Sequence, residues 1–256
     1  SELDWTSSPG YPYLMNAPTN AILFGVINGE PDSAKVDYVW ELVQDRINSL
    51  RTGPVSDHIR LFVKAEPLKP KKVASESYRL IASVSVVDQL VDHMLFDDMN
   101  NLLYERWETT PSRVGWSQFT GGWRVMPQGR VMALDKKSWD WTVQPWLLDM
   151  VLELRGDLCD NPSEEWKLLA TRRYEQLFKD PTFITTGGYV FQQKEAGVMK
   201  SGCVNTIADN SIMQVILHYR VCQELGWEPG FIWAMGDDTL QQEVPDVKQY
   251  VDRMSQ

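Results

Sequence analysis

The spacing of hydrophobic residues along this chain changes several times, and each change marks a new predicted element. Hydrophobic positions three and four residues apart, the spacing of one helix face, recur in five long segments. These predicted helices cover residues 36–50, 85–104, 145–154, 163–177 and 203–225, and one more begins near residue 246. Pro145 and Gly226 are residues typical of a helix start and a helix end.

Short apolar runs bounded by turn-forming residues predict the strands. Residues 59–65 alternate between apolar and polar side chains, and residues 131–134 are continuously apolar. Two hairpins are predicted, at 182–193 around a glycine pair and at 231–241 around Gly236-Asp237-Asp238. Helices and short hairpin-forming strands together indicate an α+β chain.

Two segments show neither the helical spacing of apolar residues nor the pattern of a strand. Residues 1–31 are rich in Pro, Gly and Ser, and we expect an irregular extended arm with one strand in the apolar run 21–27. Residues 108–129 combine Gly, Ser and Thr with interleaved aromatic residues and predict a loop region.

Positive charge is concentrated in one segment of an acidic chain. The formal net charge is −10, which argues against indiscriminate nucleic-acid binding. Residues 60–79 nevertheless contain six basic and two acidic residues. Because Pro67 and Pro70 interrupt regular structure there, we expect a stiff loop that directs its lysines toward phosphate groups. A solvated turn is the alternative interpretation.

Chain length and the numbers of cysteine and histidine residues indicate the size of the domain, the redox compartment and which metals to expect. The 256 residues suit one large domain or two interleaved ones. Three cysteines without a Cys-x-x-Cys pair and three isolated histidines argue against a disulfide framework and against zinc, so we expect a reducing compartment. No apolar run has the roughly 18 residues of a membrane span. Since the first residue is not Met, we expect a processed or excised part of a longer protein.

Carboxylates stand where two predicted strands end. Asp135 directly follows the apolar run 131–134, and Asp237 and Asp238 occupy the tip of the second hairpin. Two Mg²⁺ ions about 3.5–4 Å apart take hard oxygen ligands and clamp the attacking and leaving oxygens of a phosphoryl transfer. If the two strands are neighbours, these carboxylates form one half each of a two-metal site.

The order of the motifs is more specific than any one of them. A strand with Asp135 and Asp140 is followed by Ser201-Gly202-x3-Thr206-x3-Asn210, then by the Gly-Asp-Asp hairpin, and the basic segment precedes all three. In this order the chain resembles the fingers and palm of viral RNA-dependent RNA polymerases, with motifs A, B and C in sequence. The basic segment, from Phe62 to Ile81, resembles motif F of the same family.

Two five-residue motifs narrow the resemblance to particular groups of viruses. Trp139-Asp140-Trp141-Thr142-Val143 and Ser8-Pro9-Gly10-Tyr11-Pro12 resemble the polymerases of sobemovirus-like and luteovirus-like plus-strand RNA viruses. The similarity extends over residues 8–241. Lys137-Ser138 stands where many relatives carry two small residues, and a lysine there is expected to alter pyrophosphate handling or metal affinity.

The resemblance implies a role for each motif residue. It implies that Asp135, Asp237 and Asp238 are catalytic and bind two Mg²⁺ ions, for which Mn²⁺ can substitute. It also implies an NTP-binding set in two parts. Lys64, Lys72 and Arg79 would contact the triphosphate, and the part near the ribose 2′-hydroxyl would comprise Asp140, Ser201, Gly202, Thr206 and Asn210.

The resemblance further implies a right-hand polymerase fold, with an antiparallel palm sheet backed by helices, interwoven fingers and no thumb in this chain. The expected subdomains are fingers at 1–95 with the basic loop 60–81 on the path of the NTP, palm at 96–180 with motif A at 131–140, a fingers hairpin at 181–196, and palm at 197–256 with motif B at 201–210 and motif C at 235–239.

The implied activity is RNA-directed RNA polymerisation that replicates or transcribes a viral RNA genome. RNA template, nascent RNA and NTPs are the expected partners, other viral replication proteins are possible ones, and the host cytoplasm is the expected location. Two alternatives stay open. One is a reverse transcriptase of the same palm architecture. The other is a non-catalytic RNA-binding scaffold fragment, because nothing after residue 241 resembles motif E or a thumb.

Overall fold

A computed structural model of the chain describes residues 3–255. Its helices are α1 (Asn20–Phe24), α2 (Ser33–Thr52), α3 (Pro70–Ala74), α4 (Val86–Glu105), α5 (Trp139–Thr142), α6 (Pro145–Asp157), α7 (Glu164–Tyr174), α8 (Thr206–Leu225) and α9 (Val247–Met254). Its strands are β1 (Ile59–Val63), β2 (Leu80–Ser83), β3 (Val131–Leu134), β4 (Thr182–Thr185), β5 (Val190–Gln192), β6 (Ile232–Met235) and β7 (Asp238–Gln242).

The strands form two separate sheets. The first has the order β2-β1-β4-β5, in which β1 pairs antiparallel with β2 and parallel with β4. The second is a three-stranded antiparallel sheet with the order β3-β7-β6. One face of this second sheet packs on α8 and α9, where Met132 and Leu134 contact the buried side chains of Val221 and Tyr250. The α+β class and the helix-backed antiparallel sheet agree with the sequence prediction.

Helix α8 is the central support of the molecule. It packs against α6, α9 and β6, and Met213 at its middle is fully buried in the main hydrophobic core. Its first turns also carry a buried charge, because Asp209 accepts hydrogen bonds from Arg155 at 2.7 Å and from the Tyr174 hydroxyl at 2.8 Å. A buried carboxylate is costly unless it is paired and hydrogen-bonded. This network therefore fixes the start of α8 against α6 and α7.

Two sequence predictions about local structure are wrong. The apolar run 21–27 is not a strand, because Thr19 caps a short helix by accepting from the backbone N–H of Ile22, and Gly25 ends that helix in the left-handed conformation. The basic loop is not wholly irregular either. Pro70 occupies the first turn of α3, a position that proline favours, so Lys71 and Lys72 lie on a short helix.

The other predicted helices and both hairpins are present with ends shifted by a few residues. For example, α8 begins at Thr206 rather than near 203. The predicted subdomain boundary between residues 95 and 96 falls inside α4, so one helix runs through both segments. Within residues 3–255, no helix combines the length and the apolar character needed to cross a membrane.

Candidate active site

The strand pairing of the three-stranded sheet places three carboxylates at the edge of the sheet where β3 ends and β7 begins. Leu134, the last residue of β3, pairs with Thr239 of β7, so Asp135 extends just beyond this pair. On the other side of β7, Met235 pairs with Asp238, which leaves Gly236 and Asp237 as the two residues of the turn. Gly236 has a φ of 65°, the positive value that the first turn position of a type II′ hairpin requires.

A side chain that the sequence did not single out holds this turn in place. Ser211 is fully buried on α8, and its Oγ accepts a hydrogen bond from the backbone N–H of Gly236 at 2.9 Å. The same hydroxyl donates to the carbonyl oxygen of Ile207 at 2.7 Å. The hairpin tip is therefore tied to the central helix. Only the position of Ser211 one residue after Asn210, on the buried face of α8, could have indicated this role.

The edge carries an excess of negative charge. Although Asp238 is largely exposed, partial desolvation raises the pKa of its carboxyl, and the neighbouring charges of Asp237 and Asp135 raise it further. The half-buried Lys136 lies among these groups and donates to the Thr239 hydroxyl at 3.3 Å. Burial lowers the pKa of Lys136 to about 8 against the opposing effect of the three carboxylates. The lysine beside the carboxylates is therefore Lys136, whereas Lys137 is exposed.

The donor chemistry of this edge suits a hard divalent cation. Asp135, Asp237 and Asp238 are all exposed carboxylates, and like charges at close range leave negative charge that a cation would neutralise. Within the described residues 3–255, no three acidic, His or Cys side chains already converge closely enough to hold an ion. The edge thus offers the right ligands without the closed arrangement of a structural metal site.

Asp140 belongs to the same site from a different element. It lies on α5, and the Asn210 amide nitrogen donates to its Oδ1 at 3.2 Å. Burial raises the pKa of Asp140, the Asn210 hydrogen bond lowers it, and the charge of Asp237 raises it again. The positive charge of Arg79 acts in the opposite direction, which lowers the pKa. The carboxyl of Asp140 therefore lies within electrostatic reach of both the hairpin tip and the basic segment.

The other residues of the Ser-Gly-x3-Thr pattern make contacts elsewhere. The Ser201 hydroxyl donates to the carbonyl oxygen of Leu80 at 3.3 Å, and the Thr206 hydroxyl donates to that of Lys200 at 2.9 Å. Gly202 lies so close to β2 that a Cβ atom on it would be 2.4 Å from the Ala82 carbonyl oxygen. Ser201 and Gly202 hold the loop before α8 against β2, and Thr206 closes the loop on itself. Asn210 is the residue of this pattern that is hydrogen-bonded to Asp140.

The basic segment brings two of its three predicted phosphate ligands together. Lys64 and Arg79 both lie near Glu66, at 3.6 Å and 3.5 Å, and the backbone N–H of Lys64 donates to the Arg79 carbonyl oxygen. The Arg79 side chain is 66% exposed and therefore available to a ligand. Lys72 lies between these two residues in the chain and is exposed on α3.

Sequence comparison identifies a family that matches the whole chain. The family model described as viral RNA-dependent RNA polymerase matches residues 1–256. An RNA-directed RNA polymerase from Mushroom bacilliform virus is 28% identical over 276 residues, covering 97% of this chain and 64% of that protein. Replicase polyprotein P2AB of Southern bean mosaic virus is 32% identical over 269 residues, covering 94% of this chain and 26% of the polyprotein. The chain thus spans less than two thirds of these relatives.

A solved structure provides an independent likeness. The Sicinivirus 3Dpol RNA-dependent RNA polymerase superposes with a TM-score of 0.78 at 20% sequence identity, and the match covers 98% of this chain and 53% of that one. At this identity the likeness is one of fold.

Proposed function

Because this chain belongs to the family of viral RNA-dependent RNA polymerases, we propose that it forms the part of an RNA-directed RNA polymerase that adds NTPs to the 3′-hydroxyl of a growing RNA strand. The observation that carries the proposal is the sheet edge, where Asp135, Asp237 and Asp238 stand at neighbouring strand ends beside Asp140. RNA template, nascent strand and NTPs are the partners this activity requires.

In this proposal, Asp135 and Asp237 would hold two Mg²⁺ ions and Asp238 would support them. When bound, the ions supply Lewis-acid chemistry that favours ionisation of the 3′-hydroxyl and neutralises the departing pyrophosphate. The open edge of the sheet, with its exposed carboxylates, leaves room for the substrate phosphates to complete the ligand set.

The remaining residues bind and orient the NTP. Lys64, Arg79 and Lys72 of α3 would contact the triphosphate. The guanidinium of Arg79 can form a bidentate pair of hydrogen bonds with a phosphate group. Asp140 and Asn210 would recognise the ribose 2′-hydroxyl, because together they offer one hydrogen-bond acceptor and one donor. This pair favours ribonucleotide addition over the reverse transcriptase alternative, since a site built to bond a hydroxyl rejects the sugar that lacks it.

The variant Asp237→Asn tests the proposal in the full natural polypeptide that carries this sequence. We expect Mg²⁺-dependent addition of NTPs to an RNA primer to fall by at least about 100-fold, because even partners one step removed from a metal ligand contribute about 10–100-fold. Asp157→Asn is the matched control, since Asp157 is exposed at the end of α6, a different element from the β6–β7 hairpin. Equal activity of the two variants would refute the assignment of Asp237, whereas absence of nucleotide addition by the wild type as well would favour the scaffold alternative.

A further inference from the structure

Asn210 uses both ends of its side-chain amide. Its nitrogen donates to Asp140 at 3.2 Å, and its oxygen accepts from the indole N–H of Trp139 at 2.9 Å. Asn210 and Trp139 are 5% and 6% exposed, so the bond between these two side chains is shielded from water. The amide is therefore held from two sides, by a residue that faces the substrate and by a residue in the core.

The indole determines which way the amide points. An indole nitrogen can only donate a hydrogen bond, so the atom of Asn210 that faces Trp139 must be the oxygen. The amide nitrogen is then directed at Asp140, where one of its two hydrogens is used. What remains on the substrate side is one N–H of Asn210 and one free oxygen of Asp140. That set matches a hydroxyl, which accepts one hydrogen bond and donates one.

The position of Trp139 follows from its place in the chain. It is the first residue of α5 and belongs to the main hydrophobic core with Val143 and Met199, while the next residue, Asp140, turns toward the site. The core therefore fixes the indole, and the indole fixes the amide. Trp141 on the same helix is 61% exposed and has no part in this arrangement.

The backbone of α8 near Asn210 is anchored by other residues. Asp209 is bound by Arg155 at 2.7 Å and by Tyr174 at 2.8 Å. Loss of the indole N–H would therefore leave the helix where it is and release the amide alone. A released amide can rotate and offer either end to the substrate, so it no longer distinguishes a hydroxyl from a hydrogen at the 2′ position.

We propose that Trp139 is a positioning residue for sugar selection, which orients the Asn210 amide so that Asn210 and Asp140 together present one donor and one acceptor to the ribose 2′-hydroxyl. The proposal rests on the polymerase function proposed above. It assigns to the core tryptophan a part in substrate choice, although Trp139 itself does not touch the substrate.

The test is single-nucleotide incorporation by the full natural polypeptide with Trp139→Phe, which removes the N–H and keeps an aromatic ring. We expect kcat/KM for an rNTP to fall about tenfold, the equivalent of one hydrogen bond, while kcat/KM for the matching dNTP changes by less than about twofold. Trp141→Phe is the matched control and should leave both values unchanged. A merely structural role for Trp139 would lower both values equally, and that result would overturn the proposal.

A double-variant cycle tests whether Trp139 acts through Asn210. In an Asn210→Ala background, Trp139→Phe should cause no further loss of sugar preference, because the amide it orients is already gone. An additional loss of the same size as in the wild type would show that Trp139 acts by another route and would overturn the proposal.

A shape-preserving replacement covers the case in which Trp139→Phe does not fold. Benzothienylalanine at position 139 keeps the two-ring shape and substitutes sulfur for the N–H, so it should reproduce the loss of sugar preference. Unchanged preference with this residue would overturn the proposal and leave the polymerase function standing. Absence of any incorporation by the wild-type protein would instead refute the polymerase function itself.

Discussion

The carboxyl of Asp140 belongs to the proposed site, and at neutral pH it lowers the stability of the fold. Burial holds the pKa of its carboxyl above the ordinary value of 3.8, so the folded chain carries a poorly solvated charge at neutral pH. A raised pKa means that the folded state binds the proton more tightly than the unfolded state does. Ionised Asp140 therefore lowers the stability of the fold at neutral pH, and this effect disappears as the pH falls through the raised pKa toward 3.8.

We accordingly expect Asp140→Asn to be more stable than the wild type at pH 7 and to lose sugar preference at the same time. In urea unfolding, the stability advantage should shrink as the pH falls and vanish well below pH 3.8, where the carboxyl is protonated in the folded and the unfolded state. Asp157→Asn, at an exposed position, should show no advantage at either pH. A less stable Asp140→Asn at pH 7 would contradict the electrostatic interpretation.

Ser211 is the second residue whose effect can be isolated. Ser211→Ala would leave the Gly236 N–H without its acceptor, and we expect a loss of about 1–3 kcal/mol in the free energy of unfolding. Nucleotide addition should also slow, because the turn that carries Asp237 loses its link to α8. Ser255→Ala is a matched control, since Ser255 makes the same bond to the carbonyl four residues back, at 2.9 Å, but is exposed. Equal destabilisation of the two variants would show that the hydrogen bond of Ser211 does not support the turn that carries Asp237.

At the scale of elements, the loop before α8 depends on its close approach to β2. Gly202→Ala would place a Cβ atom 2.4 Å from the Ala82 carbonyl oxygen, so the loop and β2 must separate. We expect a loss of about 1–3 kcal/mol in the free energy of unfolding, the usual cost of forced overpacking, measured in denaturant. The control Gly188→Ala also has a positive φ, of 80°, but meets no atom within 4 Å. A smaller loss in the free energy of unfolding for Gly202→Ala than for Gly188→Ala would contradict the role of this close approach.

The elements were predictable where the hydrophobic spacing is long. Residues 85–104 and 203–225 repeat the helical spacing over several turns, so both helices are confirmed. The prediction was wrong where the segment is short, because the four apolar residues before Gly25 fit a strand as well as a helix. At Pro70 it was wrong because proline can begin a helix as well as interrupt one.

At the scale of the whole molecule, the family and the α+β right-hand fold predicted from the motif order are confirmed. The sequence also placed Asp135 and Asp237 at strand ends, because a carboxylate after an apolar run is a local signal. The hydrogen bonds of Trp139 and Ser211 join residues that are 71 and 25 positions from their partners, and no local pattern encodes such pairs. Sequence therefore indicates which residues face the substrate better than it indicates what holds them.

The assigned roles of the carboxylates and of the basic segment stay predictions until activity is measured. The most direct measurement is extension of an RNA primer on an RNA template by the full natural polypeptide, with rNTPs and dNTPs supplied separately, before and after the divalent metal is removed by chelation. The account predicts extension with rNTPs, little or none with dNTPs, and complete loss on chelation that added Mg²⁺ restores. Equal use of both sugars, or extension that survives chelation, would contradict it.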